Sequence, residues 1–192
     1  CIRDSTWSLG VNYSAGAWIW KANIGKSFRV PIPKELGADG VNYHIFRYEK
    51  GEAGLSPEES YQFDAGIYWH NEALDIRLDS YVNYFPNYIY LNPTSAYTEG
   101  LQTYYYTQSR VIRYGVEADI RYRFLRRLEA VVKGEYLYAE QLSGNKKGYT
   151  LPFSPPWSAD VELKYTFGSG EDGETGFISA AYLSLIHISE PT

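Results

Sequence analysis

Ile112-Arg113-Tyr114-Gly115-Val116-Glu117-Ala118-Asp119-Ile120-Arg121-Tyr122-Arg123-Phe124 is the stretch that decides the fold. Arg113, Glu117, Asp119, Arg121 and Arg123 share one parity, and Tyr114, Val116, Ala118, Ile120, Tyr122 and Phe124 share the other. Successive side chains of a β-strand point to opposite faces, so the stretch predicts a strand with one charged and one apolar side. Each basic residue facing hydrocarbon would cost ~2–4 kcal/mol at the bilayer midplane. The charged parity is therefore read as facing a watery lumen and the apolar parity as facing lipid.

The same division recurs along the chain. Leu74, Ile76, Leu78 and Val82 alternate with Asp75, Arg77 and Asp79. Trp157, Ala159, Val161, Leu163, Tyr165 and Phe167 alternate with Ser158, Asp160, Glu162, Lys164 and Thr166. Eleven residues rise ~36 Å, and a tilt of ~45° projects that to ~25 Å, the height of an outer-membrane apolar band. Trp157 and Phe167 are then expected at opposite interfaces. Strands are predicted at 4–13, 17–28, 58–70, 74–90, 102–124, 128–142, 156–167 and 175–182. Short connections (14–16, 71–73, 125–127) alternate with long ones (29–57, 92–101, 143–155), and Gly168–Glu174 is an intermediate, Gly-rich turn. Short periplasmic turns and long outer loops are the asymmetry of outer-membrane barrels.

Composition agrees. Twenty Tyr, 8 Phe and 5 Trp with no Met in 192 residues suit membrane interfaces better than a soluble core. Mean hydropathy is −0.39 and no run approaches the ~20 apolar residues of a spanning helix, which excludes a helical membrane protein. A net charge of −5 without basic clusters argues against nucleic acid. The single Cys1 permits no internal disulfide, and it is read as an arbitrary chain start in preference to a lipidated residue. No signal peptide is present, so an exported protein is expected to begin upstream. Leu183 to Thr192, Leu-Ser-Leu-Ile-His-Ile-Ser-Glu-Pro-Thr, looks like a translated sequencing adapter. Residues 1–182 are thus expected to be barrel and 183–192 a foreign tail.

Gly25-Lys26-Ser27-Phe28-Arg29-Val30-Pro31, then Glu35-Leu36, then Arg47-Tyr48-Glu49-Lys50-Gly51 and Leu55-Ser56-Pro57-Glu58-Glu59-Ser60 frame the longest loop. This order resembles the C-terminal barrel half of TonB-dependent outer-membrane receptors, in which a Phe-Arg-x-Pro-like box closes one strand and a Gly-Asn-x-x-Leu-x-Pro-Glu-like box opens another. Phe28, Arg29, Pro31, Glu49, Gly51, Leu55, Pro57 and Glu58 carry the likeness; the usual Asn is Glu52 here. Asn87-Tyr88-Ile89, Tyr114-Gly115-Val116-Glu117 and Leu151-Pro152-Phe153-Ser154-Pro155-Pro156 resemble further boxes in family order. The resemblance implies an all-β, transmembrane antiparallel barrel, incomplete here, with about eight strands of a roughly 22-stranded, plugged whole. It implies import of a scarce nutrient, an iron chelate (siderophore) foremost, with TonB and its inner-membrane energising complex acting through a plug outside this chain. Outer-membrane lipids and lipopolysaccharide would surround it, and no cofactor is implied.

No nucleophile elbow, phosphate loop or zinc spacing appears, so an enzyme is not expected. The ligand-binding candidates are Tyr43, His44, Arg47 and Tyr48 in loop 29–57, and Tyr97 in a second aromatic group with Tyr104, Tyr105 and Tyr106. Haem receptors of the family use a loop His between comparable boxes, which leaves His44 open as a haem ligand beside its reading as an ordinary loop residue. Asp75, Arg77, Asp79, Glu117, Asp119, Arg121, Glu135, Asp160 and Glu162 are read as a hydrated wall of mutually paired charges rather than a ligand path. Two other architectures remain: a complete eight-stranded adhesion barrel, and a soluble carbohydrate-binding sandwich, which would need an apolar core where these charges stand.

Overall fold

A computed structural model describes residues 5–125, 127–144, 146–151, 157–167 and 176–186. Cys1, most of the Leu151–Pro156 box, the Gly168–Glu174 turn and His187 lie outside the described residues.

Eight long strands form one antiparallel sheet: β1 (Trp7–Ala15), β2 (Trp18–Arg29), β5 (Glu58–His70), β6 (Leu74–Thr98), β7 (Leu101–Leu125), β8 (Leu128–Gln141), β9 (Trp157–Phe167) and β10 (Gly176–Ile186), neighbours in that order. Loop 30–57 adds a short helix α1 (Pro33–Gly37) and a hairpin of β3 (Asp39–Asn42) and β4 (Arg47–Lys50). Among the described residues the sheet does not close on itself, as expected for part of a barrel wall. β10 runs to Ile186, opposite Trp157, so four residues of the adapter-like segment join the ladder. Main-chain pairing is open to any non-proline residue in register.

Register carries each parity straight across the sheet. Trp18, Trp69, Ile76, Ile120, Val132 and Val161 are successive cross-strand partners, and Ile24, Phe63, Val82, Tyr114 and Tyr138 form a second row. This apolar face is exposed: Ile24, Phe63, Leu78, Val116, Val132, Val161 and Leu163 all stand open. So much contiguous exposed apolar surface is what the lipid-facing side of a membrane barrel presents. On the other face Arg77, Asp119, Lys133 and Asp160 are successive partners of alternating sign, and the row above runs Asp79, Glu117, Glu135 and Ser158. Open clefts of about 280 and 530 Å³ lie on the charged side. Concavity and charge thus coincide, which removes the sandwich: the charged parity lines an open concave wall instead of packing on a second sheet.

Two glycines on the concave face make room for rings. A Cβ on Gly115 would stand 2.6 Å from the Tyr81 ring, and one on Gly66 would run into the Asp79 carboxylate and meet the Tyr68 ring at 3.1 Å. Tyr68 donates to Asp79 Oδ1 at 3.0 Å, with Lys21 and Arg77 4.6 and 5.3 Å from its ring centroid.

The short turns between β1 and β2 and between β5 and β6 fall where expected, and His70 closes β5 with its N–H on the Ala17 carbonyl. One expected loop is absent. Segment 92–101 is not an outer loop: β6 and β7 continue through it and meet in a two-residue turn, Glu99-Gly100, with φ of 52° and 77°. Both values are left-handed, the geometry of the type I′ turn whose twist matches a hairpin. Twenty-five residues rise ~85 Å, far more than the bilayer needs even when tilted, so the outer parts of β6 and β7 project beyond the membrane.

Candidate functional site

The outer end of the sheet is organised by residues far apart in sequence. Arg29, the last residue of β2, faces Glu58, the first of β5. Its Nε and Nη2 donate to Glu58 Oε1 and Oε2 at 3.1 and 3.2 Å, a bidentate fork, while Nη1 donates to Glu35 Oε2 at 2.8 Å. Glu35 also accepts the Ile32 N–H at 2.9 Å, closing the first turn of α1 behind Pro33. Glu58 is buried and accepts the Ile89 N–H at 2.7 Å. Asn87 completes the knot: its amide nitrogen donates to the Pro57 carbonyl and its Oδ1 accepts the Glu59 N–H at 2.9 Å. Gln108 bonds both the N–H and the carbonyl of Ser56, at 3.0 and 2.8 Å. Phe28 and Leu55 are partly buried here and Pro31 is buried.

Gly51 shows why its position excludes a side chain. Its N–H donates to the Ala38 carbonyl at 2.7 Å, and a Cβ would stand 2.6–2.7 Å from main-chain atoms of Leu36, Gly37 and Ala38. The returning strand lies directly on the end of α1. Of the signature residues, then, Arg29, Glu58 and Gly51 hold the loop to itself and to the wall.

Glu49 has the same character. It is 2% exposed, and its carboxylate takes Lys34 Nζ at 2.6 Å, Arg47 Nε at 2.8 Å and Asn42 Nδ2 at 2.9 Å. Burial by itself pushes the carboxyl up, but these three donors outweigh it and hold the group down at about 2.

β4 pairs in parallel with β7, Tyr48 opposite Thr103 and Lys50 opposite Tyr105. β8 reaches no higher than Gln141, opposite Val111, so β4 takes the edge of β7 that β8 leaves empty. Arg47 stacks on the Tyr104 ring, 4.9 Å from its centroid, and Tyr48 is buried, its phenol donating to Asp39 Oδ1 at 3.0 Å. Those two candidates are spent on structure. Tyr43 and His44 remain available: they sit in the hairpin tip, Tyr43 75% exposed, beside an open cleft of about 400 Å³ lined also by Lys34, Asp39 and Asn42. Tyr97 is 71% exposed near the Glu99-Gly100 turn. The structure therefore separates the five candidates into a working pair, Arg47 and Tyr48, and an open trio. Lys34, Asn42 and Gln108, which complete these contacts, were not singled out in the sequence, and no local pattern marks them.

On the concave face the expected pairing of charges is present in part. Arg77 reaches Asp79, and Arg123 reaches Asp75 and, at 3.7 Å, Glu129. Among the described residues no cluster of His, Cys, Asp and Glu has metal-holding geometry.

The arrangement defines a class: a curved antiparallel wall with a lipid-type convex face, a charged concave face and a latched outer loop. The family described as TonB dependent receptor-like, beta-barrel matches residues 3–185, and the chain belongs to it. Proteins of this family are outer-membrane transporters, not enzymes. No curated protein matches the sequence. Among solved structures the chain is similar to the copper transporter OprC (TM-score 0.69, 18% identity, 85% of this chain and 24% of that one). It is also similar to the siderophore receptor PirA from Pseudomonas aeruginosa (0.64, 15%, 93% and 34%). A variant of the ferric enterobactin receptor PfeA from the same organism, in complex with enterobactin, gives 0.60, 16%, 93% and 32%. At these identities the likeness is one of fold, and the chain spans between about a quarter and a third of each of these structures.

Proposed function

We propose that this chain is part of an outer-membrane receptor that actively imports a scarce nutrient, a metal chelate with iron as the leading metal. The division of the wall carries the reading: an apolar convex face for lipid and a charged, hydrated concave face for a plug and a passage. The convex face meets outer-membrane lipid, with lipopolysaccharide at its outer rim. TonB supplies energy through a plug outside this segment. The open trio Tyr43, His44 and Tyr97 forms part of the ligand surface, and the latched residues Arg29, Glu49, Gly51 and Glu58 hold that surface in place. No residue here is required to do covalent chemistry.

The test is uptake of radio-iron chelates by a host that lacks its own receptors and expresses the whole receptor carrying this segment. Uptake that stops when TonB is deleted supports the proposal. Passive uptake that persists without TonB, or none with any metal chelate, overturns it.

A further inference from the structure

We propose that the crown of this outer unit takes a metal chelate with no net negative charge and discriminates against anionic chelates. This rests on the import reading above and adds the charge class of the cargo.

Register brings the crown together. β7 descends from Leu101 and β4 runs parallel to it, so the Arg47 end of the hairpin lies toward the Glu99-Gly100 turn. Tyr97 faces Gln102, one residue above the Thr103 that faces Tyr48. The tip Tyr43 to Phe46 and the turn Tyr97 to Gly100 therefore rise to the same level from opposite sides of β7. Both present rings to solvent: Tyr43, Phe46 and Tyr97 are all more than two-thirds exposed. Such rings stack on the flat or apolar faces of a chelate, and they attract positive charge to their faces.

The charges around them are already matched. Segment 29–58 holds four cations, Arg29, Lys34, Arg47 and Lys50, against five carboxylates. Arg29 is forked on Glu58 and bonded to Glu35, Lys34 and Arg47 converge on Glu49, and Lys50 sits over the Tyr48 ring at 5.8 Å. Lys146, from the β8–β9 connection, donates to the Pro93 carbonyl, below the crown, and Lys147 follows it on the outside of that turn. Glu99 adds a further negative charge at the crown itself. Its field reaches the hairpin: the Tyr48 phenol is held above its usual range by its hydrogen bond to Asp39, by burial, and by the Asp39 and Glu99 charges. An anionic chelate approaching these rings would meet like charge, with the four cations of segment 29–58 engaged by Glu58, Glu35, Glu49 and the Tyr48 ring. A neutral or cationic chelate meets no such opposition.

The test titrates the purified whole receptor with two probes of one metal: a ferric trihydroxamate of neutral or positive charge and a ferric tris-catecholate, which is trianionic. Quenching of protein fluorescence reads binding. The expected result is at least tenfold tighter binding of the trihydroxamate, weakened severalfold by Tyr43→Ala or Tyr97→Ala, with Glu99→Lys narrowing the gap by raising tris-catecholate affinity. Tighter tris-catecholate binding that still responds to Tyr97→Ala overturns the charge assignment and keeps the crown as a ligand surface. Binding of both probes that ignores both tyrosine substitutions, or binding of neither, removes the crown as a ligand surface and this inference with it, and TonB-dependent uptake then decides the import reading separately.

Discussion

Arg29 and Glu58 face each other at the ends of neighbouring strands and join by two parallel hydrogen bonds, 3.1 and 3.2 Å, although 29 positions separate them. The fork closes a loop that contains a helix and a hairpin, and it does so where the barrel wall leaves the membrane. Arg29→Lys keeps the charge but cannot reproduce the planar fork while also serving Glu35. A double-mutant cycle with Glu58→Gln is expected to show a coupling of about 1–2 kcal/mol, discounted for the partial exposure of Arg29. Protease cleavage within 30–57 of the whole receptor, followed against denaturant, measures it. A coupling near zero would mean that the two residues are neighbours without being a latch.

Gly51→Ala introduces a methyl against main chain, which cannot rotate away as a side chain would. A cost of about 1–3 kcal/mol is expected, seen as faster hydrogen exchange at Gly51 and Glu52, whose N–H groups bond Ala38 and Glu35. Unchanged exchange at both amides would refute the contact.

Glu49 gives the loop an acid limit. Its folded value of about 2 lies below the ordinary 4.5, so the stabilisation is complete above about pH 4.5 and disappears as pH falls toward 2. The full effect is about 3 kcal/mol at 1.36 kcal/mol per pH unit. Glu49→Gln should remove most of this pH dependence and lower the stability of the hairpin at neutral pH. Hairpin exchange rates measured from pH 7 to pH 3 test the sign; a wild-type loop that tightens on acidification would contradict it.

The two faces of β7 should respond oppositely to charge. Ile120→Arg places a cation on the convex side at mid-height, at a cost of ~2–4 kcal/mol, and is expected to cut the amount of receptor assembled in the outer membrane. Glu117→Arg, three residues away on the concave side between Asp79 and Glu135, should assemble normally. Equal loss from both substitutions would remove the distinction between a lipid face and a lumen face.

The membrane-spanning part of the fold was legible because lipid and water impose the strictest contrast on alternate residues. Arg113 to Phe124 and Trp157 to Phe167 show it without help from tertiary structure, and β5 was bounded correctly by Glu58 and His70. Beyond the bilayer both faces are wet and the alternation fades. That is why the sequence predicts a loop over 92–101: Asn92 and Pro93 look like breakers, and Glu99-Gly100 lacks the Asn-Gly or Asp-Gly signature of a type I′ turn. Pro93 is accommodated where the register shifts between it and Tyr97.

The site was legible as a set of residues and not as an arrangement. The signature boxes pointed to Arg29, Gly51 and Glu58, but spacing along a chain does not tell that Asn87 will clamp Pro57 or that β4 will lie on β7. Arg47 and Tyr48 looked like ligand groups by type. Their partners Glu49, Tyr104 and Asp39 engage them, and only contacts across the fold reveal that.

The parallel seam between β4 and β7 also constrains how such a receptor can diversify. Because the hairpin supplies a missing piece of wall, loop 30–57 is not a cassette to be lengthened, exchanged or deleted freely; a transplant would arrive without its mate on β7. Innovation is channelled to the few positions at the tip and the turn, Tyr43 to Phe46 and Tyr97 to Gly100, where side chains can be replaced without breaking the masonry beneath.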